Sequence, residues 1–258
     1  LPLSKRSRLE RLGPRRAEIL ELLETGCTSS GEGPTSWGRS VEEALAARIL
    51  EAFSLSRPDG ADAARAQRIV ADLWGLADVE VRELGSHQDR NFLITAHGVR
   101  HVLKVANSAV ADDSLDAQNA AMLALVDSPL STPAPIATSS GGLRETVHLA
   151  GTRHSVRLLS YVSGTPMTGY AYLSPSTARL LGALAGQVGD ALADFDHPGC
   201  HQPTQWDLRH SDRVVTDLLV DVDPPLRERI RTLSEDAHRA LGPVADALPR
   251  QAVHGDIT

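Results

Sequence analysis

The amino-acid sequence predicts an α+β fold, in which a small, mostly antiparallel sheet with one helix packed on it precedes a helical region. Changes in hydrophobic periodicity carry this prediction. Apolar residues recur with helical spacing over residues 61–76 and then alternate with polar residues over 79–106, as is typical of strands. Helical spacing returns from residue 174 onward in two long segments.

Composition limits the class of protein and of partner. The 258 residues suit one large domain or two lobes, and hydrophobic residues make up 41%, which is enough for a core. The net charge of −7 argues against nucleic acid as the main partner. Cys27 and Cys200 are far apart, which suits a reducing compartment and predicts a cytoplasmic location. No run of about 18 apolar residues exists, so we expect no membrane span.

Three regions follow one another along the chain. Residues 1–55 are predicted to be a helical, partly low-complexity extension, because a Gly-, Ser- and Thr-rich stretch separates two helical segments. Residues 56–160 contain the predicted sheet, and residues 161–258 are predicted to be mostly helical. The chain lacks an initiator Met and stops within the polar segment AVHGDIT, so we expect a fragment of a longer protein.

The middle region opens with a helix whose apolar stripe is Ala66, Ile69, Val70 and Leu73. The strands VEVREL, FLITAHG and RHVLKVA follow, joined by the loop GSHQDRN and a tight turn. A second helix, DDSLDAQNAAMLALV, is expected to bury Leu115, Met122 and Val126. A loop and a strand pair then complete the sheet.

The third region begins with a helix that Ser174 caps and Pro175 opens. Its expected core face consists of Leu180, Leu184, Val188, Leu192 and Phe195. A second long helix covers DPPLRERIRTLSEDAHRAL, and Pro249 ends the helical run before QAVHGDIT.

Lys104 is the first candidate for chemistry. Strand alternation places Val102, Lys104 and Ala106 on one face and Leu103 and Val105 on the other. A Lys between small apolar neighbours fits the floor of a cleft, where it would hold a ligand phosphate as a point charge. A Lys on the wet face of a sheet remains an equally good interpretation.

Two neighbouring segments could complete such a site. Gly85 and Ser86 lie in a loop about 15 residues before the Lys, where backbone N–H groups and a hydroxyl could cover phosphates. Asp116 and Gln118 lie on the helix after the Lys strand, where a carboxylate could pair with Lys104. Taken singly, an ordinary hairpin loop and a solvated helix side account for these residues as well.

His254-Gly255-Asp256 is the third candidate. An Asp after a tight Gly, just beyond an apolar stretch, can act as general base for a hydroxyl, with the His holding the loop. His197, Cys200 and His201 form a weak metal signal, because a complete site would need another ligand. No GxGxxG, GxSxG or HExxH motif is present.

The order of these segments is more specific than any one of them. A strand, a loop, a Lys strand, an acid-bearing helix, a hinge strand, helices and His-Gly-Asp resemble the aminoglycoside phosphotransferase and choline kinase-like superfamily, relatives of protein kinases. The segments ELGSHQDRNFLI, HVLKVAN, LDAQNAAMLAL, RLLSYVSGTPM and FDHPG...WDL are most similar to its hydroxylysine kinase branch. The resemblance covers about residues 60 to 258. It implies a protein kinase-like two-lobed fold with a small antiparallel N-lobe and an incomplete, mostly helical C-lobe ending in the catalytic loop.

The resemblance also implies roles for individual residues. Lys104 would bind phosphate, with Asp116, or less favourably Gln118, as its helix partner. Asp256 would be the catalytic base, placed by His254, and the metal ligands of the family would lie beyond Thr258. Trp206 and Asp207 would line an acceptor pocket, although a structural role suits them equally. The remaining nucleotide-binding positions would be Gly85, Ser86, His87 and Asn91 in the loop, and Leu159, Ser160, Tyr161 and Val162 in the hinge.

These roles imply a kinase that uses ATP or GTP with Mg²⁺ to phosphorylate a hydroxyl of a small amino-alcohol. The fragment alone is expected to be a poor enzyme, and fusion to an aminotransferase-like domain is one expectation for the longer protein. The alternative is a non-catalytic nucleotide-binding or regulatory module.

Overall fold

The computed structural model describes residues 57–86, 88–164, 172–202, 206–245 and 247–255. The extension predicted for residues 1–55 therefore lies outside the described residues. The described residues fall into two compact units, one formed by residues 57–202 with 251–255 and the other by residues 206–250. The division between lobes near residue 160 stays a prediction.

The predicted alternation of elements is present in the first unit. Short 3₁₀ turns at Pro198–His201, Leu208–His210 and Leu219–Asp221 accompany the main elements. In chain order the elements are α1 (Ala63–Trp74), β1 (Glu80–Leu84), β2 (Arg90–Ala96), β3 (Val99–Val105), α2 (Asp112–Leu125), β4 (Pro135–Ile136), β5 (Glu145–Leu149), β6 (Thr152–Ser160), α3 (Pro175–Ala191), α4 (Ser211–Leu218) and α5 (Pro224–Ala245).

The strands form one antiparallel sheet of order β1-β2-β3-β6-β4, and β5 also pairs with β6. The hairpin between β2 and β3 turns at His97 and Gly98, which both have positive φ. Two residues with positive φ match the right-handed twist of the flanking strands. The α+β class predicted from the sequence is confirmed.

The core lies between α1 and one face of the sheet. Its buried side chains include the α1 stripe residues Ala66, Ile69 and Val70, and Leu73 packs against it as predicted. Alternate residues of the central strands supply the other side, namely Phe92, Ile94, Leu103, Val105, Val156 and Leu158. Side chains of the intervening residues therefore point to the opposite face, where α2 lies.

Helix α1 has a well-defined start and end. Asp62 caps the N-terminus by accepting a hydrogen bond from the Arg65 N–H at 2.7 Å. Gly75 ends the helix with φ of 67°, which a residue with a side chain adopts only at a cost. The helix is therefore bounded by local sequence, and its stripe then fixes which side meets the sheet.

Helix α3 starts as predicted, since Ser174 accepts a hydrogen bond from the Thr177 N–H and Pro175 is the first residue. Its predicted core face is only partly correct. Val188 and Leu192 are buried in a small cluster with Leu125, but Leu180 and Leu184 are exposed.

In α2 the expected burial of Val126 is also wrong, because Leu125 is the buried residue at that end of the helix. In the second unit, α4 packs against α5. No helix among the described residues combines the length and apolar character needed to cross a membrane.

Candidate functional site

The face of the sheet opposite α1 carries a row of polar side chains. Asn91 of β2, Lys104 of β3 and Arg157 of β6 are direct partners in the strand register. Directly paired residues on neighbouring strands have Cβ atoms about 5 Å apart. The sheet therefore places two cations and an amide side by side, with the predicted Lys104 at the centre.

Asp89, in the loop between β1 and β2, pairs with Lys104. The Asp89 Oδ2 atom lies 3.5 Å from the Lys104 Nζ atom. The side chains of Lys104 and Asp89 are 26% and 20% exposed. The Asp89 Oδ1 atom accepts a hydrogen bond from the Asn107 N–H at 3.1 Å. The buried Asn107 side chain also donates to the Gln88 carbonyl at 3.4 Å. The end of β3 thus holds residues 88 and 89 above the lysine.

Arg157 lies fully inside the protein, 1% exposed, between β6 and α2. Its guanidinium donates to the Leu115 carbonyl and to the Asn119 Oδ1 atom at 3.2 Å each, and to the Gln118 Oε1 atom at 2.9 Å. All three acceptors are uncharged, and burial lowers the pKa of Arg157 while Asp89 and Asp116 oppose that shift. Sequence reasoning missed this residue, although a charged residue between Val156 and Leu158 in an apolar strand was a usable signal.

The expected pair of Asp116 with Lys104 is wrong, because Asp116 binds Arg144. Its two carboxylate oxygens accept hydrogen bonds from Arg144 at 2.9 and 3.0 Å. The reason is helical geometry. Leu115, Gln118 and Asn119 share the side of α2 that faces the sheet, whereas Asp116 shares the adjacent side with Asp112. Gln118, the less favoured candidate, faces the sheet but binds Arg157.

Arg144 also pairs with Asp112 at the start of α2. Its Nη1 atom lies 3.1 Å from Asp112, which also receives a hydrogen bond from Arg153. The Arg153 hydrogen bond is the main cause that lowers the pKa of Asp112, and the Asp116 hydrogen bond raises the pKa of Arg144. These pairs join α2 to strand β6 and to the residue directly before β5.

The remaining loop positions differ in their contacts. The Ser86 carbonyl accepts a hydrogen bond from Arg57. Gly85 has open space around it, and its φ is not in the left-handed region, so this conformation does not require glycine. The Asn91 Oδ1 atom is buried and has no hydrogen-bond partner among the described residues. His87 lies outside the described residues.

The predicted hinge follows β6. The Ser160 N–H donates to the Ala134 carbonyl and its hydroxyl accepts from the Ala134 N–H, at 2.8 Å each. The Tyr161 N–H donates to the Arg100 carbonyl at 3.3 Å, and the Arg100 guanidinium lies 4.2 Å from the Tyr161 ring centroid. The backbone N–H groups of Ser160 and Tyr161 are therefore engaged. Val162 is the first hinge residue beyond them and is partly exposed.

The C-terminal candidate is described only in part. The Gln251 side chain donates to the Gly189 carbonyl of α3 at 2.8 Å. His254 is exposed, and Gly255 has a φ of 79°, which fits the predicted tight turn. Asp256 lies outside the described residues, so its role as base stays a prediction.

Trp206 and Asp207 belong to the second unit. Asp207 caps the turn at Leu208–His210 by accepting from the Arg209 N–H at 3.0 Å, and the Arg209 side chain also binds its carboxylate. These hydrogen bonds lower the pKa of Asp207. A capping role therefore accounts for this carboxylate. The predicted acceptor-binding role of both residues stays a prediction.

The two histidines of the weak metal signal, His197 and His201, are engaged by nearby residues. The His197 Nδ1 atom accepts a hydrogen bond from the Gly199 N–H at 3.0 Å, and His201 lies 3.1 Å from Asp196. Within the described ranges, no group of three or more His, Cys, Asp and Glu side chains could hold a metal ion.

Comparisons with solved structures found distant similarities. A microcompartment-associated aminopropanol kinase is 16% identical with a TM-score of 0.48, over 62% of this chain and 55% of that one. An amicoumacin kinase solved with AMP-PNP and Ca²⁺ is 15% identical with a TM-score of 0.48, over 63% and 55%. A spectinomycin phosphotransferase solved with ADP and spectinomycin is 10% identical with a TM-score of 0.46, over 74% and 60%. The chain spans little more than half the length of the first two.

Comparison with curated protein sequences found no match. A family model does match. The model described as the phosphotransferase enzyme family aligns with residues 78–258, which is well over half of the chain and includes every strand of the sheet. The chain therefore belongs to the phosphotransferase enzyme family.

Proposed function

We propose that this chain carries the nucleotide-binding part of a small-molecule kinase, which transfers the γ-phosphate of ATP or GTP to a hydroxyl of an amino-alcohol. The observation that carries the proposal is the position of Lys104. It is half-buried at the centre of the polar row and pairs with Asp89, which accepts a hydrogen bond from Asn107 just after the same strand. Membership of a phosphotransferase family supports a phosphate ligand at this lysine.

Lys104 supplies positive charge where a transferred phosphoryl group needs it. Phosphoryl transfer depends mainly on positioning and on neutralising charge on phosphate oxygens. Arg157 lies next to Lys104 in the sheet and adds a second fixed cation, although its burial keeps it from touching a ligand. Residues 85–91 would cover the phosphates, with backbone N–H groups as the donors to the phosphate oxygens.

The base of the nucleotide would lie at the hinge. The N–H groups of Ser160 and Tyr161 already donate to other backbone groups, so they are not free for a ligand. Val162 is the candidate to donate its backbone N–H to the adenine or guanine ring. The cation–π contact between Arg100 and Tyr161 would keep this segment in place.

The acceptor hydroxyl would meet Asp256. In this proposal the carboxylate accepts the hydroxyl proton as the oxygen bonds to the γ-phosphorus and the nucleoside diphosphate leaves. Mg²⁺ would supply further positive charge to the phosphates when bound, but no group of the described residues fits it. The amino-alcohol acceptor and the hydroxylysine kinase-like branch are parts of the proposal that rest on the sequence resemblance.

The lysine content of the chain allows a direct test. Lys104 and Lys5 are the only lysines in the sequence, so Lys5 is an internal control for chemical modification. We expect AMP-PNP to slow acetylation of Lys104 by at least about tenfold without changing acetylation of Lys5, as measured by mass spectrometry. If AMP-PNP changes the acetylation rate of neither lysine, the proposal is contradicted. GMP-PNP in the same assay tests the choice between ATP and GTP.

Calorimetry with AMP-PNP gives an independent measurement. Lys104→Met should weaken binding by at least about tenfold, since one charge-assisted contact is lost. Lys5→Met is the matched control and should bind as the unmodified chain does. A kinase and a non-catalytic nucleotide-binding module would both pass this test. Release of ADP by the full-length protein in the presence of a panel of amino-alcohols separates them, because only the kinase consumes ATP.

A further inference from the structure

Asp89 belongs to the loop between β1 and β2 and contacts Lys104. Its Oδ2 atom is 3.5 Å from the Lys104 Nζ atom, and its own side chain is 20% exposed. Asp89 is also the first of the carboxylates whose charge opposes the lowering of the pKa of Arg157. Asp89 therefore pairs with Lys104, and its charge also favours the protonated form of Arg157.

A phosphate group would seek the same charge. The lysine ammonium is a compact point charge, and two anions bound to it at once would lie about 4–6 Å apart and repel each other. A triphosphate carries several negative charges, so this repulsion is larger than between two carboxylates. Either Asp89 leaves Lys104 when the phosphates bind, or the phosphates bind against its charge.

We propose that Asp89 competes with the nucleotide phosphates for Lys104 and thereby lowers the affinity for the nucleotide. This inference rests on the proposed function. Displacing Asp89 would also break its hydrogen bond with the Asn107 N–H, which holds residues 88 and 89 above β3. Phosphate binding is thus coupled to release of the loop. Asp89 acts through Lys104 and the loop and is an affinity-determining residue, not a catalytic one.

Asp89→Asn tests the proposal with little structural change, because the amide oxygen can still accept the Asn107 N–H. Calorimetry with AMP-PNP should show binding about three- to tenfold tighter than in the unmodified chain, which is the effect of removing one partly screened charge. Inorganic tripolyphosphate should show the same gain, and adenosine should show none. Damage to the loop would weaken binding, so a gain separates competition from a purely structural role.

Two further variants complete the design. Asp127→Asn removes the same charge at an exposed position after α2 and should leave AMP-PNP binding unchanged. In a Lys104→Met background, Asp89→Asn should give a smaller gain, because only the direct repulsion between Asp89 and the phosphates is then removed. A gain of the same size in that background would overturn the proposal, since Asp89 would then not act through Lys104.

The remaining outcomes distinguish the inference from the proposed function. If the unmodified chain binds AMP-PNP and Lys104→Met weakens it, but Asp89→Asn binds equally or more weakly, only the inference is overturned. If neither the unmodified chain nor Asp89→Asn binds AMP-PNP or tripolyphosphate, both are overturned. If only Asp89→Asn binds tripolyphosphate, the inference is supported.

Discussion

Replacing Arg157 by Met is the sharpest test of how the site is held together. The guanidinium joins β6 to α2 through three hydrogen bonds, to the Leu115 carbonyl and to the side chains of Gln118 and Asn119. Met fills much of the same volume but cannot donate. The substitution therefore isolates the polar contribution of Arg157 and leaves three acceptors without their donor.

The expected loss of stability follows from these contacts. Leu115 and Asn119 are buried, and each buried acceptor left unpaired costs about 1–3 kcal/mol, so these two cost about 2–6 kcal/mol. The exposed Gln118 side chain can bond water instead. Against this, the variant no longer buries a cation whose direct partners are all uncharged, which returns several kcal/mol. We expect a net loss of about 2 kcal/mol in the free energy of unfolding. With a urea m-value of about 2 kcal/mol per M, the midpoint falls by about 1 M.

Trp74 is a suitable probe, because it packs against the core and its indole N–H donates to the Ile136 carbonyl at 3.0 Å. With Trp37 and Trp206 replaced by Phe, its fluorescence reports the unit that contains the sheet. Arg153→Met is the matched control. The Arg153 side chain is 53% exposed, so its ion pair should contribute less than about 1 kcal/mol. A midpoint for Arg157→Met within about 0.3 M of the parent protein would refute the reasoning.

Two further predictions concern stability. A Cβ atom added at Gly199 would lie 1.9 Å from the Asp113 carbonyl oxygen, so Gly199→Ala should lower the melting temperature by several degrees, as about 2 kcal/mol of strain implies. At Gly186 in α3 an added Cβ atom meets no atom within 4 Å, so Gly186→Ala should raise the melting temperature. The reasoning fails if both substitutions change the melting temperature in the same direction. The hydrogen bond from Arg153 lowers the folded-state pKa of Asp112, so this carboxylate stabilises the fold above its unfolded pKa of about 3.9 and loses that effect as pH falls through the folded pKa. Asp112→Asn should therefore lower the melting temperature at pH 7 more than at pH 3, and an equal effect at both would count against the assignment.

The local pattern was enough to locate most elements of the sheet unit. Alternation placed Leu103 and Val105 in the core and Lys104 on the opposite face, and the register confirms that arrangement. The cap at Ser174 and the stripe of α1 were likewise encoded within a few residues. The buried face of helix α3 was harder to predict. Its apolar positions predicted a long buried face, but Leu180 on that face is exposed.

The partners of charged side chains were beyond the reach of the sequence. Lys104 and Asp116 are twelve positions apart and opposite in charge, which made their pairing reasonable. The strand register and the rotation of α2 instead bring Asp89 to Lys104 and Arg144 to Asp116. Such pairings depend on the angles and distances between elements, and the order of charges along the sequence does not contain that information.

The sequence by itself determined the order of elements, the α+β class and the position of Lys104 on the polar face, because these follow from periodicities of two and 3.6 residues. The tertiary structure alone decided that Arg157, with uncharged hydrogen-bond partners, lies next to that lysine in the sheet and that Asp89 pairs with it. Both results arise where residues more than ten positions apart meet across strands or a helix. The physical reason is that side-chain partners are selected by packing in three dimensions, after the local elements have formed.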